Sequence, residues 1–177
     1  MDRRDDGVWD IRPASAGDAD GIAVVHVTSW RATYPELVPQ PVRDDLDVAR
    51  RSEAWRQILV DGAEQTFVAE DADGRIRGFI SIGASRDDDA VASVGELFAL
   101  YLPAELWATG LGAQLHGVGL TALSERFADA TLWVIGGNAR ARHFYERQGW
   151  SPDGATKVDD RGSFALAEVR YRNPLQR

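Results

Sequence analysis

The segment from Leu132 to Trp150 constrains the fold more than any other part of the chain. It begins as an apolar strand and passes through two adjacent glycines into a helical pattern. Asn138 is a favourable helix N-cap, and Gly149 is a favourable residue for ending the helix. Asn138, Arg142 and Tyr145 stand at i, i+4 and i+7, which places them on one helix face. The pattern predicts a strand–turn–helix unit whose polar stripe either meets a polar ligand or borders an aromatic core.

Charge and composition exclude several classes of protein. The chain has 177 residues, of which 44% are hydrophobic and 27% are charged, as in one globular domain. A formal net charge of −8 argues against non-specific binding to nucleic acid or to an anionic membrane surface. Because the chain has no cysteine, it has no disulfide, thiolate nucleophile or cysteine-bound metal.

These properties set expectations for organisation and location. The start of the chain is charged and no apolar segment follows it, and no run of about 18 apolar residues occurs. We expect one cytoplasmic domain over residues 1–177, with residues 1–7 as a flexible N-terminus. We expect no metal, no nucleic acid and no membrane among its partners.

The hydrophobic pattern predicts strands and helices in one mixed sheet flanked by helices. The expected order is β, α, α, β, β, β, α, β, α, and then one or two strands. The predicted strands are residues 8–12, 66–70, 75–82, 96–102, 132–135 and 164–172, and the predicted helices include residues 15–30, 44–60 and those starting at 111 and 139. A turn at residues 71–74 makes a hairpin of the second and third strands.

Two other polar features favour structural roles. His26 lies within the first helical pattern, and we expect it to be packed or half-exposed rather than catalytic. Asp87, Asp88 and Asp89 form a charge run, which we expect to be a solvated loop. A metal site would need further ligands near this run, and the sequence offers none.

A glycine-bearing turn lies between the apolar strand ending at Leu102 and the following helix. It reads Trp107-Ala-Thr-Gly110-Leu-Gly112-Ala113. Two glycines that open a helix can bring backbone N–H groups close to an anion, and the helix dipole favours negative charge there. A tight turn with close helix packing is the alternative. The turn is neither a Walker A loop nor a dinucleotide-binding fingerprint.

Taken together, the strand 96–102, the turn 107–113 and the segment 138–150 resemble the GNAT superfamily of N-acetyltransferases in order and spacing. The turn corresponds to that family's Arg/Gln-x-x-Gly-x-Gly/Ala pyrophosphate loop. Residues 29–34 and 169–172 are also similar to many bacterial members. The resemblance implies an α/β (α+β) fold with a mixed, strongly twisted sheet of six to seven strands and about four helices. Acetyl-CoA would lie where the middle strands splay apart.

The same resemblance implies a set of residues that bind acetyl-CoA. The amides of residues 109–113 would hold the pyrophosphate, and the backbone of Leu100 and Leu102 would bond the pantetheine arm. Asn138 would bond that arm from the other side, and Arg142 would approach the phosphates. The full implied set is Leu100, Tyr101, Leu102, Trp107, Thr109, Gly110, Leu111, Gly112, Ala113, Asn138, Arg142 and Tyr145.

The loop departs from the family pattern. Trp107 stands where Arg or Gln is usual, and Thr109 stands where a basic residue is common. The loop therefore offers no side-chain cation to a strongly anionic ligand. We expect either weaker, salt-sensitive CoA binding or compensation by Arg140 or Arg142.

The resemblance implies transfer of an acetyl group to a primary amine of a small molecule or peptide within a ternary complex. Because an alkylamine with a pKa near ~10 is mostly protonated at neutral pH, a proton must leave before attack. Glu96 is the candidate base, with a solvated or ion-paired carboxylate as the alternative. Tyr145 is the candidate acid for the leaving thiolate, with a core tyrosine as the alternative. The N–H of Leu100 would stabilise the oxyanion.

The acceptor is less constrained. In this family the first two helices, their connection and the last strands set it, and here Trp30, Tyr34 and Glu96 are the candidate contacts. The chain also offers Trp55 and the run Asp87–Asp89 for this role. An acidic protein suits a cationic amine such as a polyamine, an aminoglycoside or a peptide N-terminus. The family resemblance is compatible with a homodimer, which the sequence does not establish. The competing hypotheses are a non-catalytic acyl-CoA-binding module and an interaction protein that has lost CoA binding.

Overall fold

A computed structural model describes residues 9–33, 38–160, 162 and 164–175. The strands are β1 (Asp10–Pro13), β2 (Gln65–Glu70), β3 (Ile76–Ala84), β4 (Val94–Tyr101), β5 (Asp129–Ile135), β6 (Ser151–Asp160) and β7 (Ala165–Pro174). The helices are α1 (Ala19–Thr33), α2 (Gln40–Asp44), α3 (Val48–Asp61), α4 (Leu111–Ser124) and α5 (Ala139–Arg147). The predictions for residues 1–7 and for Tyr34 lie outside the described residues.

The seven strands form one mixed sheet in the order β1-β2-β3-β4-β5-β7-β6. The pairing of β4 with β5 is parallel, and the other neighbours are antiparallel. The parallel pairing covers only Val94–Leu97 with Asp129–Leu132, so the two strands diverge beyond it. In β4, successive residues of β3 pair with Leu97 and Ala99, which leaves Phe98 as an extra, bulged residue. The predicted α/β fold with a splayed sheet is confirmed.

Helices cover both faces of the sheet and bury two apolar clusters. On one face α4 packs Leu111, Leu115 and Leu123 against the inner strands. On the other face α1 and α3 pack residues such as Ile22 and Trp55 against β2 and β3. Burial of these aliphatic and aromatic side chains is the main driving force for the fold.

Two features differ from the sequence prediction. The helix predicted at 44–60 is α3 and begins at Val48, because Asp47 caps it by accepting a hydrogen bond from the Arg50 N–H at 2.6 Å. The short helix α2 precedes it and was not predicted, so the described residues contain five α-helices where about four were expected. Strand β6 had no clear apolar pattern, because it lies at the sheet edge and most of its residues are exposed. None of the helices described is both long and apolar enough to cross a membrane.

Candidate active site

A cavity of about 890 Å³ opens where β4 and β5 diverge. The diverging residues of both strands line it, together with parts of α1, the β4–α4 loop and α5. Its far wall consists of residues from β6 and β7. A cavity of this size suits an extended ligand of the size of a cofactor.

Most of the predicted site residues line this cavity. They are Trp30, Glu96, Leu100, Tyr101, Leu102, Trp107, Gly110, Gly112, Ala113, Asn138 and Tyr145. Three predicted residues do not line it. Leu111 is fully buried in the core below α4, and the Thr109 hydroxyl donates to the Leu106 carbonyl at 2.7 Å. Arg142 is the third, and its contacts are described below.

The glycine turn forms the start of α4 in the cavity wall. Gly110 is the N-cap with φ 92°, and Ala108 also has a positive φ of 61°. A Cβ on Gly112 would make only ordinary contacts, 3.6 Å from Leu102 and 3.7 Å from Phe144, so close packing does not require glycine there. The first amides of a helix have no intrahelical acceptor. The turn therefore presents backbone donors and the positive end of the helix dipole to the cavity.

Two arginines of α5 have different surroundings, and this corrects the sequence prediction. Arg140 lines the cavity, and its guanidinium carbon lies 3.0 Å from the centroid of the Trp107 ring. Arg142 turns away, donating from Nε to the Tyr171 hydroxyl at 3.0 Å and from Nη1 to the Gly136 carbonyl at 3.1 Å. Arg140 and Arg142 are both within α5 and lie about 200° apart around its axis, so only one of them can face the cavity.

Asn138 links the cavity wall to the start of α5. Its side-chain oxygen accepts a hydrogen bond from the Ala141 N–H at 3.1 Å, as predicted for an N-cap. Asn138 also lines the cavity. The cap therefore fixes the position of this residue at the β5 side of the opening.

Glu96 is a buried carboxylate at the fork of the two strands. Only 6% of the residue is exposed, so a solvated strand-end carboxylate is ruled out. The main-chain N–H of Arg86 donates to Glu96 Oε2 at 2.9 Å, and the Arg86 guanidinium lies 3.8 Å from Oε1. Burial raises the pKa of Glu96, while the bond and the charge of Arg86 oppose that rise. A carboxyl group with a raised pKa is suited to accepting a proton near neutral pH.

Tyr145 lines the cavity from α5 and is also part of the core, with 9% of the residue exposed. Phe144 and Trp150 pack edge-on against its ring, at centroid distances of 5.3 and 6.1 Å. Behind it, Trp150 Nε1 donates to His116 Nε2 at 2.8 Å. Burial lowers the pKa of His116 to about 4, so this imidazole is a neutral acceptor.

An aromatic group forms the α1 side of the cavity. Trp30 Nε1 donates to the Tyr101 hydroxyl at 3.0 Å, and the Tyr101 ring stacks on His26 at 5.0 Å. Trp55 Nε1 donates to His26 Nδ1 at 3.0 Å. His26 is half-buried, as predicted. Trp55 is buried in the core and does not line the cavity.

Several residues of the cavity wall opposite α1 were not predicted as site residues. The missed lining residues include Arg86, Trp133, Lys157, Asp159 and Glu168. The alternation of polar residues along β7 was the available signal, because alternate residues of a strand share one face.

The prediction that Asp87, Asp88 and Asp89 form a solvated loop is also revised. Asp87 and Asp89 bind the Arg170 guanidinium at 3.1 and 2.6 Å. Asp88 and Asp89 are exposed, as expected of the run, whereas the Asp87 side chain is only 14% exposed. The run therefore ties its loop to β7.

Comparisons with known proteins agree with this architecture. A family model described as "Acetyltransferase (GNAT) family" matches residues 27–150. The chain is 33% identical, over 92% of its own length and 88% of the relative's, to "Uncharacterized N-acetyltransferase YuaI" of Bacillus subtilis (strain 168). The structure of PaiA N-acetyltransferase from Thermoplasma acidophilum in complex with coenzyme A superposes with a TM-score of 0.71. That comparison covers 95% of this chain and 99% of PaiA at 20% identity, so it supports the fold alone.

Proposed function

Because the chain belongs to the acetyltransferase (GNAT) family, we propose that it transfers an acetyl group from acetyl-CoA to a primary amine of a small molecule or peptide. The amine attacks directly within a ternary complex. The observation that best supports this is the placement of Glu96 and Tyr145 in one cavity, which also holds an anion-binding helix start. A base, an acid and a phosphate-binding element are the parts that the reaction needs.

The CoA moiety fits the open side of β4 and the start of α4. Beyond Leu97, β4 is no longer paired with β5, so the backbone there can bond the amides of the pantetheine arm. Gly112 and Ala113 line the cavity, and their amides would hold the pyrophosphate. Arg140 would supply the cation that the loop lacks, because it already lies against Trp107.

Glu96 would accept the proton that the acceptor ammonium must lose. Its raised pKa makes it a stronger base than an exposed glutamate, and the Arg86 N–H bond stabilises its carboxylate form. The nitrogen lone pair then forms a bond to the thioester carbon. The N–H of Leu100, on the part of β4 that is no longer paired with β5, would stabilise the oxyanion.

Tyr145 would complete the reaction. As the carbon–sulfur bond breaks, the Tyr145 hydroxyl gives its proton to the leaving thiolate. The newly bonded nitrogen loses its extra proton, which restores the Tyr145 hydroxyl, so the products are an amide and CoA. Its aromatic neighbours hold the ring in place, which favours positioned proton transfer. Glu168 is paired with Lys157 at 3.4 Å, and Glu96 and Asp159 are carboxylates of the cavity wall that would attract a cationic amine.

The test of this proposal is thiol release from acetyl-CoA in the presence of an amine panel of spermidine, kanamycin and a dipeptide. We expect release above background with at least one amine. Calorimetry with acetyl-CoA provides the companion measurement. Binding without turnover on any acceptor would instead favour a non-catalytic acyl-CoA-binding module.

A further inference from the structure

The loop between β3 and β4 (residues 85–93) crosses from one arm of the splay to the other. It carries Arg86, whose main-chain N–H donates to Glu96 Oε2 at 2.9 Å. The next residue, Asp87, reaches the opposite arm. Its Oδ1 accepts a hydrogen bond from Trp133 Nε1 at 2.8 Å, and its Oδ2 accepts one from Arg170 Nη1 at 3.1 Å.

These bonds lie at the point where the sheet opens. Trp133 follows Leu132, which is the last residue of β5 that pairs with β4. Arg170 lies on β7, directly opposite Trp133 in the register. Asp87 therefore bonds two neighbouring residues on the β5–β7 arm, while the residue before it bonds Glu96 on the β4 arm.

The contacts of Asp87 are sheltered from solvent. The Asp87 side chain is 14% exposed and that of Arg170 is 9% exposed. Arg170 is held further by Asp89, with two bonds of 2.6 and 2.8 Å, and by Asp153 at 2.8 Å. Charge-assisted bonds of this kind are strong and directional, so the loop has one defined position.

We propose that Asp87 is a positioning residue for Glu96, because its bonds to Trp133 and Arg170 hold the Arg86 N–H on the Glu96 carboxylate. This inference rests on the proposed role of Glu96 as the base. Asp87 itself acts through the loop, and the acceptor need not touch it.

The charges around Glu96 determine the direction in which its pKa should move in a variant of Asp87, and that direction can be tested. The charged groups around the Glu96 carboxylate, with their ion-pair partners, are Arg86, Asp87, Lys157, Glu64 and Glu168. Burial raises the pKa of Glu96, the Arg86 bond and charge lower it, and the negative charge of Asp87 raises it less strongly. Loss of the Arg86 bond and loss of the Asp87 charge therefore move the pKa of Glu96 in opposite directions.

The experiment compares Asp87→Ala with Asp88→Ala, which removes the same charge from the same loop at an exposed residue. The titration of Glu96 is followed by NMR of labelled glutamate side chains, with its signal assigned by its loss in Glu96→Gln. We expect the midpoint to move to higher pH in Asp87→Ala and to remain unchanged in Asp88→Ala. At neutral pH, kcat/KM of Asp87→Ala should fall by about 10- to 100-fold, as for a misplaced group.

A midpoint that moves to lower pH in Asp87→Ala would overturn the proposal, because the charge alone would then be responsible. An unchanged midpoint with a lower melting temperature would also overturn it, because Asp87 would then be only structural. The proposed catalytic role fails separately. If the NMR midpoint moves but the acidic limb of kcat/KM does not, Asp87 positions Glu96 and Glu96 is not the base.

Discussion

The guanidinium carbon of Arg140 lies 3.0 Å from the centroid of the Trp107 ring, so α5 places a cation on the loop that has none of its own. Cation–π contact of this kind favours a planar guanidinium over an ammonium. Trp107 is held in turn by its Nε1, which donates to the Leu102 carbonyl at 3.2 Å. In the proposed complex with CoA, the pair would compensate for the basic residue that the family usually has in the loop.

Replacing Arg140 by alanine should weaken the binding of CoA by about 10-fold or more, because a charge-assisted bond to phosphate is lost. Calorimetry at low and high salt measures this loss. Arg142→Ala is the matched control, since Arg142 lies two residues away and bonds Tyr171 outside the cavity. Equal losses in both variants would contradict the assignment of Arg140.

A cation placed in the loop should substitute for Arg140. In the Arg140→Ala background, Trp107→Arg should restore most of the lost affinity for CoA, because the new guanidinium would lie at the start of α4. Calorimetry of the double variant checks this. No recovery would mean that Arg140 acts by some means other than its charge.

Tyr145→Phe should lower kcat by about 10²- to 10⁴-fold and leave the affinity for CoA nearly unchanged, because only proton transfer is lost. Steady-state kinetics and calorimetry measure the two effects. Tyr171→Phe is the control, since the Tyr171 hydroxyl bonds Arg142 and Glu146 away from the cavity. That variant should lose about 1–3 kcal/mol of stability and keep its kcat. Full turnover by Tyr145→Phe would refute the acid role.

His116 should make the protein less stable in acid. Burial lowers its folded pKa to about 4, below the usual value near 6.5, so the unfolded chain binds the extra proton first. The stability from neutral His116 is present above pH ~6.5 and is lost as the pH falls toward ~4. Between pH 7 and 5 we expect a loss of about 2 kcal/mol relative to His116→Gln, measured by denaturant unfolding. If the free energies of unfolding of the protein and of His116→Gln changed equally with pH, this prediction would be contradicted.

The fold could be predicted largely because the strand and helix periods are clear from β2 to α5. The exposed edge strand β6 has no such period, and its limits could not be read from the sequence. The candidate base and acid were identified from a resemblance in spacing. The residues proposed to hold the base in place were not identified. Asp87 and Arg170 are separated by 83 positions, and they meet only in the folded sheet, where β7 pairs with β5.

The choice between Arg140 and Arg142 shows the same limit at short range. Arg140 and Arg142 lie on opposite sides of α5, because they are about 200° apart around its axis. Helical spacing identifies residues that share a face, but tertiary packing decides which face borders the cavity. Similarly, the acidic run was misread because charge alone does not reveal a buried partner such as Arg170.

Glu96 is proposed to act as the base in acetyl transfer to an amine, and formation of the acetylated amine is the measurement that decides this. The protein and its Glu96→Gln variant are each incubated at neutral pH with acetyl-CoA and the amine panel, and the N-acetylated amines are measured by mass spectrometry. We predict an acetylated amine from the unaltered protein and about 10²- to 10⁴-fold slower formation by the variant, with CoA binding retained. Acetyl-CoA binding without any acetylated product, or equal rates from both proteins, would contradict the account.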